Sequence, residues 1–298
     1  MTNASKLRVL WASDGSAAAR NAAPLLKSIV LPAAEKLVVL SVAPHSVLSG
    51  ARPDPAFLTR VTRSAKTRAL ASATEIATAE ATVLDPAVPV EAIARWGNPI
   101  EVILRAARQL DVDLIVLGAK GHSNLAMILL GSVSQGVVQH ATLPVLIARP
   151  GAKPVRRVVV GYHGSAASKK ALTFLGRLAL ANDTEVMLTT VIEPFGVPQG
   201  TPTSYRRRAI EEAHKINLRR HAAAERSLAA VRTKLPWRVT TRVLAGDPGP
   251  VLDGLARETG ADLIVVGSRR PSPMRHYLLG STAEKLVLHA HASVLVVR

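Results

Sequence analysis

Apolar residues along this chain fall into short runs, and between these runs the apolar positions recur at helical spacing. The runs are rich in Val, Ile and Leu and are bounded by glycine, proline or polar turn residues, which is typical of buried strands. Strands and helices therefore alternate as β-α-β-α-β-α-β-α-β, and this order occurs twice. Such an alternation favours a parallel, doubly wound α/β sheet with right-handed crossovers.

The pattern predicts the bounds of most elements in the first half. The predicted strands are Leu7–Ser13, Lys36–Val42, Val88–Ala94, Asp113–Leu117 and Val145–Ala148. The predicted helices run from a Ser16 cap to about Val30, over Leu58–Ala79, from Pro99 behind an Asn98 cap to Leu110, and over Ser132–His140. In the second half we predict a first strand at Arg157–Tyr162, a long helix at Thr203–Lys234 and a last strand at Val294–Val297.

The two halves repeat each other at a constant offset of 149 positions, which a solenoid with its shorter period would not show. The turn Asp14-Gly15-Ser16 matches His163-Gly164-Ser165, and Gly97-Asn98-Pro99 matches Gly246-Asp247-Pro248. We therefore predict two tandem domains, residues 1–150 and 151–298. The boundary falls at Arg149–Pro154, where prolines and a glycine interrupt the pattern.

Composition narrows the function classes. Aromatic residues make up only 3% of the 298 residues, which argues against stacking platforms for single-stranded nucleic acid. The absence of cysteine excludes disulfides, iron–sulfur clusters and thiolate zinc sites. The beginning of the chain has too short an apolar run for a signal peptide, and no run is long enough for a membrane span. We expect a cytoplasmic protein without a membrane partner.

The formal net charge of +17 is uneven. Residues 1–150 hold 15 Lys and Arg against 10 Asp and Glu, whereas residues 151–298 hold 23 against 11. A basic surface attracts anions of any kind, but it also arises from solvated helix faces alone. We expect nucleic acid not to be a partner, because no DNA-binding motif is present. The long basic helix of the second half keeps a nucleic-acid-associated protein open as an alternative.

The candidate site lies in the stretch Asp113–Ser132, where a buried strand is followed by Gly118, Gly121, Gly131 and Ser132. Ligands of open α/β sheets bind beyond the carboxyl ends of strands at the topological switch point, which would bring this stretch close to Asp14. Glycines would let the backbone approach a ligand, and a helix start would offer N–H groups to phosphate. The segment Ser132–Gln135 also has the S-x-x-Q pattern of a capping box, which needs no ligand.

The spacing G-x2-G-x9-G-S resembles the ATP-binding signature of the universal stress protein family, as do VLWASDGS and Gly97-Asn98-Pro99. The resemblance covers both halves and implies two Rossmann-like, adenine nucleotide alpha hydrolase-like domains. Each would be a five-stranded parallel sheet of order 3-2-1-4-5 with helices on both faces. The resemblance also implies ATP, with Mg²⁺, as cofactor. The implied binding residues are Asp14, the backbone of Val42, Gly118 and Gly121 for ribose and phosphate, and Gly131, Ser132, Val133 and Ser134 at the helix start.

The second repeat departs from the family pattern at two positions. His163 stands where an aspartate is expected, and Arg270 replaces the second glycine. We therefore predict weak or no ATP binding there, although Gly280 and Ser281 remain. The second site is then either a degenerate packing partner or a site for another anion held by Arg269, Arg270 and Arg275.

The resemblance implies a regulatory, stress-response module rather than a fast enzyme. The sequence has no Walker A motif, no nucleophile elbow and no paired-carboxylate site, so any ATP hydrolysis should be slow. A true nucleotide hydrolase remains the enzymatic alternative. We expect the last strands of the two repeats to pair with each other within one chain. A homodimer and an unidentified protein partner are further expectations.

Overall fold

The fold was obtained as a computed structural model that describes residues 6–44, 55–84, 88–119, 130–197, 199–200, 202–268 and 279–298. For residues 55–62 only the backbone is described. All statements below concern these residues.

Ten strands form one sheet in the order β3-β2-β1-β4-β5-β10-β9-β6-β7-β8. The strands of the first half are β1 (Leu7–Ala12), β2 (Ala34–Pro44), β3 (Val90–Gly97), β4 (Leu114–Gly118) and β5 (Val145–Ala148). Those of the second half are β6 (Arg157–Gly161), β7 (Glu185–Ile192), β8 (Arg238–Ala245), β9 (Leu263–Gly267) and β10 (Ser293–Val297). Each half is parallel and shows the predicted 3-2-1-4-5 order, so the α/β class is confirmed. The two sheets are not separate, however, but continuous.

The two halves are joined by an antiparallel pair between β5 and β10. Leu146 lies opposite Leu295, and both side chains are fully buried. The predicted pairing of the two last strands within one chain is therefore confirmed. Because each strand covers the free edge of the other, neither half leaves this edge open for association.

The first helical segment differs from the prediction of a single helix reaching about Val30. It consists of α1 (Ala17–Arg20), α2 (Ala23–Leu25), a π-helical turn at Leu26–Val30 and a 3₁₀ turn at Leu31–Ala33. Pro24 and Pro32 explain the breaks, since proline lacks the N–H that a continuous helix requires. Each proline stands at the beginning of a new helical piece, where that donor is not needed.

The remaining helices cover both faces of the sheet. They are α3 (Pro55–Leu84), α4 (Pro99–Gln109), α5 (Ser132–His140), α6 (Ala166–Leu175), α7 (Thr203–Arg232), α8 (Pro248–Thr259) and α9 (Ser281–His289). Asn98 caps α4, as predicted from its position before Pro99. Asp247, at the matching position of the second repeat, caps α8. None of the helices in the described ranges is long and apolar enough to cross a membrane.

The hydrophobic core has two layers, one on each face of the sheet. Alternate strand residues supply the two layers: Val9 and Trp11 point to one, and Leu10 points to the other. Each layer continues across the β5–β10 junction into the second half. Trp11 is fully buried in the first of these layers.

Polar contacts also cross between the halves. Arg177 Nη2 donates to Asp113 Oδ1 at 2.9 Å, while Asp113 Oδ2 accepts the backbone N–H of Arg8 at the same distance. The backbone N–H of Ala179 donates to the Ile29 carbonyl at 2.9 Å. The Asp113 bonds hold the start of β4 against the second repeat, and the Ala179 bond does the same for the turn at Leu26–Val30.

Candidate functional site

The first turn of the candidate site follows β1. Gly15 has φ +75°, a conformation that favours glycine, and its N–H donates to Ser13 Oγ at 3.1 Å. Asp14 Oδ1 accepts the Ser16 N–H at 3.0 Å, and Ser16 Oγ caps α1 by accepting the Ala19 N–H. The Asp14 residue is exposed at the carboxyl edge of the sheet. This local network fixes a carboxylate at the predicted position.

The backbone of Val42 faces the same edge. β1 ends at Ala12, opposite Leu40, whereas β2 continues for four more residues. The Leu40 carbonyl accepts the Ser13 N–H at 3.0 Å, so it points toward β1. Peptide groups two residues apart in a strand point to the same side, so the Val42 N–H and C=O face the crevice beyond the end of β1. These groups have no strand partner on the β1 side, where β1 has already ended.

Gly118 has a packing role that sequence reasoning did not foresee, and its predicted role in ligand binding stays a prediction. A Cβ added at Gly118 would lie 2.1 Å from the Ala18 carbonyl oxygen and 2.6 Å from Ala19 Cα. Glycine is therefore required here because α1 packs directly on the end of β4. Gly267 is in the same position in the second repeat, 2.2 Å from the Ala167 oxygen by the same measure. The interpretation of Gly118 as a ligand-approach glycine is thus unnecessary.

The start of α5 corrects a second expectation. The N-cap is Gly131, and Ser132 is the first helical residue, so the S-x-x-Q capping box does not form. Gly280 takes the cap position of α9 in the same way, before Ser281. A glycine cap has no side chain that could accept the N–H groups of the first turn. The Ser132 side chain therefore does not cap α5, and among the described residues no side chain caps the start of the helix at Ser132, Val133 and Ser134.

The Ser134 side chain is used within the protein. Its hydroxyl donates to the Gly118 carbonyl at 2.8 Å, and the residue is buried. This bond ties the start of α5 to the end of β4. Ser132, by contrast, is exposed. Of the two serines proposed as phosphate ligands, only Ser132 retains an accessible hydroxyl. Gly121, also predicted as a ligand residue, lies outside the described residues.

The second repeat ties its last helix to the sheet by a different bond. Ala283 occupies the position of Ser134 and has no hydroxyl, but Ser268 Oγ accepts the Gly280 N–H at 3.4 Å. One N–H at the start of α9 is therefore already engaged. His163, at the position of Asp14, is exposed. The predicted anion ligands Arg269, Arg270 and Arg275 lie outside the described residues.

The second repeat has its own crevice at the carboxyl ends of β6, β7 and β9. A cavity of about 620 Å³ lies in this second crevice. Its volume is in the range of small-molecule sites. Its floor is apolar, and polar groups gather at the ends of β6 and β7. Burial raises the pKa of the Tyr162 hydroxyl, and the hydroxyl of fully buried Thr189 has no hydrogen-bond partner among the described residues. The residues that line the cavity include Tyr162, His163, Thr189, Val191, Arg220 and Leu252.

Comparison with known proteins supplies the family. The family model described as the Universal stress protein family matches residues 7–149 and, a second time, residues 154–298. The chain belongs to the universal stress protein family. The predicted resemblance and the tandem arrangement are thereby confirmed.

Individual members of the family show the same kinship. A universal stress protein of Mycobacterium bovis is 30% identical over 210 residues, which cover 68% of this chain and 63% of that protein's length. Universal stress protein G of Escherichia coli O157:H7 is 44% identical over 80 residues, or 26% of this chain and 56% of that protein. The crystal structure of a universal stress protein from Archaeoglobus fulgidus covers 98% of both chains with a TM-score of 0.63 at 22% identity, which shows the shared fold.

The carboxylates of the first crevice bear on metal binding by this universal stress protein. No group of three or more His, Asp or Glu side chains that could hold a metal ion occurs in the described part of the chain. Asp14 is the carboxylate that follows β1 at the edge of the first crevice. Mg²⁺ commonly binds through one or two carboxylates plus substrate phosphates, so such an ion would arrive with its nucleotide. The Asp14 carboxylate has the chemistry to bind a Mg²⁺ ion that a nucleotide would carry.

Sequence reasoning missed one feature of the second crevice in this universal stress protein. Arg220 on α7 lines the cavity and donates through Nη1 to the Glu193 carbonyl at 3.0 Å. The sequence marked Arg220 only as one of several cations of a basic helix. Its place at the cavity depends on how α7 packs over β7, which no local signal reveals.

Proposed function

We propose that this universal stress protein binds ATP in its first repeat and acts as a regulatory module of the stress response. The observation that carries the proposal is the start of α5, where the capping residue Gly131 has no side chain to accept the first-turn N–H groups, and no other side chain among the described residues caps them. Helix N-termini of this kind suit phosphate oxygens through both their N–H groups and the helix dipole. The neighbouring strand ends supply the rest of a nucleotide site.

Each part of the ATP would then meet a group of matching chemistry. The backbone of Val42 would pair with the adenine edge, and Asp14 would bind the Mg²⁺ carried by the phosphates or a ribose hydroxyl. Ser132 would add a hydroxyl to the N–H groups that bind phosphate. Gly121 remains part of the proposed loop from its place in the motif. Gly118 supports the site indirectly, by letting α1 and α5 reach the end of β4.

Binding rather than turnover is the proposed activity. The described side chains of the first crevice offer Asp14 as the carboxylate and no neighbouring histidine–carboxylate pair. We expect hydrolysis far slower than the ordinary enzyme median of about 10 s⁻¹. The bound nucleotide would instead bias α5, whose other end contacts the second repeat.

The cavity of the second repeat is a second candidate site for a ligand. The cavity of about 620 Å³ in the second repeat shows that this crevice is not packed shut. His163 and Arg220 line it, and Ser268 already engages one N–H at the start of α9. We therefore propose a small anionic ligand other than ATP for the second repeat.

The pairing of the two last strands limits how this chain could associate with a partner. Because β5 and β10 pair with each other, a homodimer of this chain would have to form through surfaces other than these strands. We propose that an as yet unidentified protein partner senses the nucleotide state, and that the protein acts in the cytoplasm.

Isothermal titration with ATP tests the assignment, combined with mass spectrometry of small molecules released from gently purified protein. We expect one ATP per chain. Gly131→Val should reduce ATP affinity at least tenfold, since the added side chain blocks the start of α5. Gly131 has an extended backbone that any residue can adopt, so the fold should persist.

Gly280→Val is the matched control in the second repeat. A Cβ at Gly280 meets no atom within 4 Å, and the substitution should leave ATP binding unchanged. If Gly280→Val abolished ATP binding and Gly131→Val did not, the nucleotide would belong to the second repeat. Absence of ATP binding in the unmodified protein would overturn the proposal altogether.

A further inference from the structure

The outer face of α7 carries a line of cations that the nucleotide site does not use. The four residues are spaced by seven, four and seven positions, which correspond to about two, one and two helical turns. They therefore lie within an arc of roughly 40° along about 27 Å of helix. All four are exposed, while Ala213 and Leu228 bury the opposite side of α7 against the sheet. This basic face consists of Arg208, Lys215, Arg219 and Arg226.

The fold does not require this charge. α3 and α7 are both 30 residues long and are the corresponding long helices of the two repeats. α3 has four Lys and Arg against two Glu, whereas α7 has eight against three. The two helices cover equivalent strands with very different surfaces. The basic face is thus a property of the second repeat and not of the architecture.

The cations of the basic face are largely unneutralised. Among the described residues, no hydrogen bond or ion pair to another side chain engages Arg208, Arg219 or Arg226. Lys215 donates to Glu212 Oε1 at 3.0 Å. That hydrogen bond first, and then the nearby charges of Lys215, Arg208 and Arg219, lower the pKa of the Glu212 carboxylate. Two acids therefore lie beside the face, Glu212 and Glu211, and Glu211 pairs with Arg207, so that the face still carries an excess of positive charge.

The remaining surface of α7 argues against a lipid partner. The large exposed apolar residues Tyr205, Ile210 and Leu218 are 67%, 54% and 56% exposed. At 100° per residue they point in three well-separated directions around the helix. A helix that lies on a membrane needs one continuous apolar face next to its cations. In α7 the apolar face is the one that packs on the sheet.

We propose that the basic face of α7 binds the phosphate backbone of duplex DNA without reading its sequence. This inference goes beyond the proposed nucleotide function and revises the expectation that nucleic acid is no partner. A line of about 27 Å spans roughly eight base pairs at 3.4 Å each. B-form DNA has a major groove wide enough for an α-helix, whereas the major groove of A-form RNA is too narrow. Scarce aromatic side chains are no obstacle, because backbone binding to a duplex needs no base stacking.

Fluorescence anisotropy with a labelled 20-base-pair DNA of mixed sequence, at 50–200 mM NaCl, tests this. Four phosphate contacts predict a slope of log K against log salt near about −3.6. Removing the four charges should weaken binding at least tenfold at low salt and flatten the slope by about 3.6. The variant carries Arg208→Gln, Lys215→Gln, Arg219→Gln and Arg226→Gln.

A control variant removes the same net charge from exposed positions of the second repeat outside α7. It should bind nearly as tightly as the unmodified chain, and its substitutions are Lys153→Gln, Arg156→Gln, Lys169→Gln and Lys170→Gln. Glu212→Gln should strengthen binding, because it releases Lys215. Equal losses in the two quadruple variants would overturn the proposal, since bulk charge would then explain the binding. Stronger binding to phosphatidylserine vesicles or to an RNA duplex would also overturn it.

Discussion

Arg149 and Arg298 each donate hydrogen bonds to the last helix of the other repeat. Arg149 Nη2 donates to the carbonyls of Leu286 and Val287 near the end of α9, at 3.0 and 2.6 Å. Arg298 Nη2 donates to the carbonyls of Val138 and Gln139 near the end of α5. The arginines lie 149 positions apart, the offset of the repeat itself, so the contact is reciprocal as in a symmetric dimer. Each guanidinium also lies where the helix dipole favours a positive charge.

The surroundings of the two arginines differ. Arg149 is 1% exposed, and its Nε and Nη1 have no hydrogen-bond partner among the described residues. Burial lowers the pKa of Arg149 to about 10, although Asp253 partly opposes this. Asp253 also accepts the backbone N–H of His291 at 2.9 Å. Arg298 is only partly buried.

Truncating the two arginines should therefore have unequal effects on stability. Arg149→Ala should lower the free energy of unfolding by about 2–4 kcal/mol, because it leaves a cavity and removes the guanidinium donor from the Val287 carbonyl. Arg298→Ala should cost about 1 kcal/mol. Arg149→Met should cost less than Arg149→Ala, since it fills the space without unpaired N–H groups. Urea unfolding measures all three, and equal losses for the two alanine variants would contradict the difference in burial.

Gly118 and Gly267 should be needed for folding rather than for ligand approach. Gly118→Ala and Gly267→Ala each place a Cβ against the backbone of the adjoining helix, and each should destabilise by about 1–3 kcal/mol or more. Gly254→Ala is the control, because this helical position has open space. It should stabilise by about 0.5–1 kcal/mol. Thermal unfolding distinguishes the two classes, and an unchanged midpoint for Gly118→Ala would restore the ligand-approach interpretation.

The two serines at the start of α5 should separate stability from nucleotide affinity. Ser134→Ala removes the hydrogen bond to the Gly118 carbonyl and should cost about 1 kcal/mol of stability, with a small effect on ATP affinity. Ser132→Ala removes an exposed hydroxyl and should weaken ATP binding with little loss of stability. Calorimetric titration and urea unfolding of both variants provide the test. The reverse pattern would mean that Ser134 is the phosphate ligand.

Asp247 should titrate below its ordinary range. The Lys285 ammonium donates to its carboxylate, and this hydrogen bond is the main reason for a lowered pKa, with a smaller contribution from the Gly249 N–H. A lowered pKa in the folded state adds stability above the unfolded value of 3.8, and this is lost as the pH falls through the folded pKa. Asn98, at the same cap in the first repeat, has no such titration.

Carboxyl-carbon NMR measures the effect directly. Lys285→Met should move the Asp247 midpoint back toward 3.8, whereas Lys169→Met, elsewhere on the surface, should leave it unchanged. If the Asp247 midpoint were the same in Lys285→Met and in the unmodified protein, the ion pair would not persist in solution.

Much of the fold could be predicted because its signals are local. The alternation of apolar runs and helical spacing located the strands, and the 149-residue repeat implied two copies of one unit. The caps Ser16 and Asn98 were predictable, since a polar side chain before a helix bonds to N–H groups only two or three residues away. The family motif located the crevice and its candidate residues.

Contacts between distant parts of the chain decided the rest. Sequence alone does not show that Gly118 makes room for Ala18, because that reason lies a hundred positions earlier in the chain. It does not show that Ser134 turns to the Gly118 carbonyl, or that Gly131 rather than Ser132 caps α5. Arg149 and Arg298 looked like ordinary residues at strand ends. Their role exists only because β5 and β10 pair and bring each arginine to the other repeat's last helix.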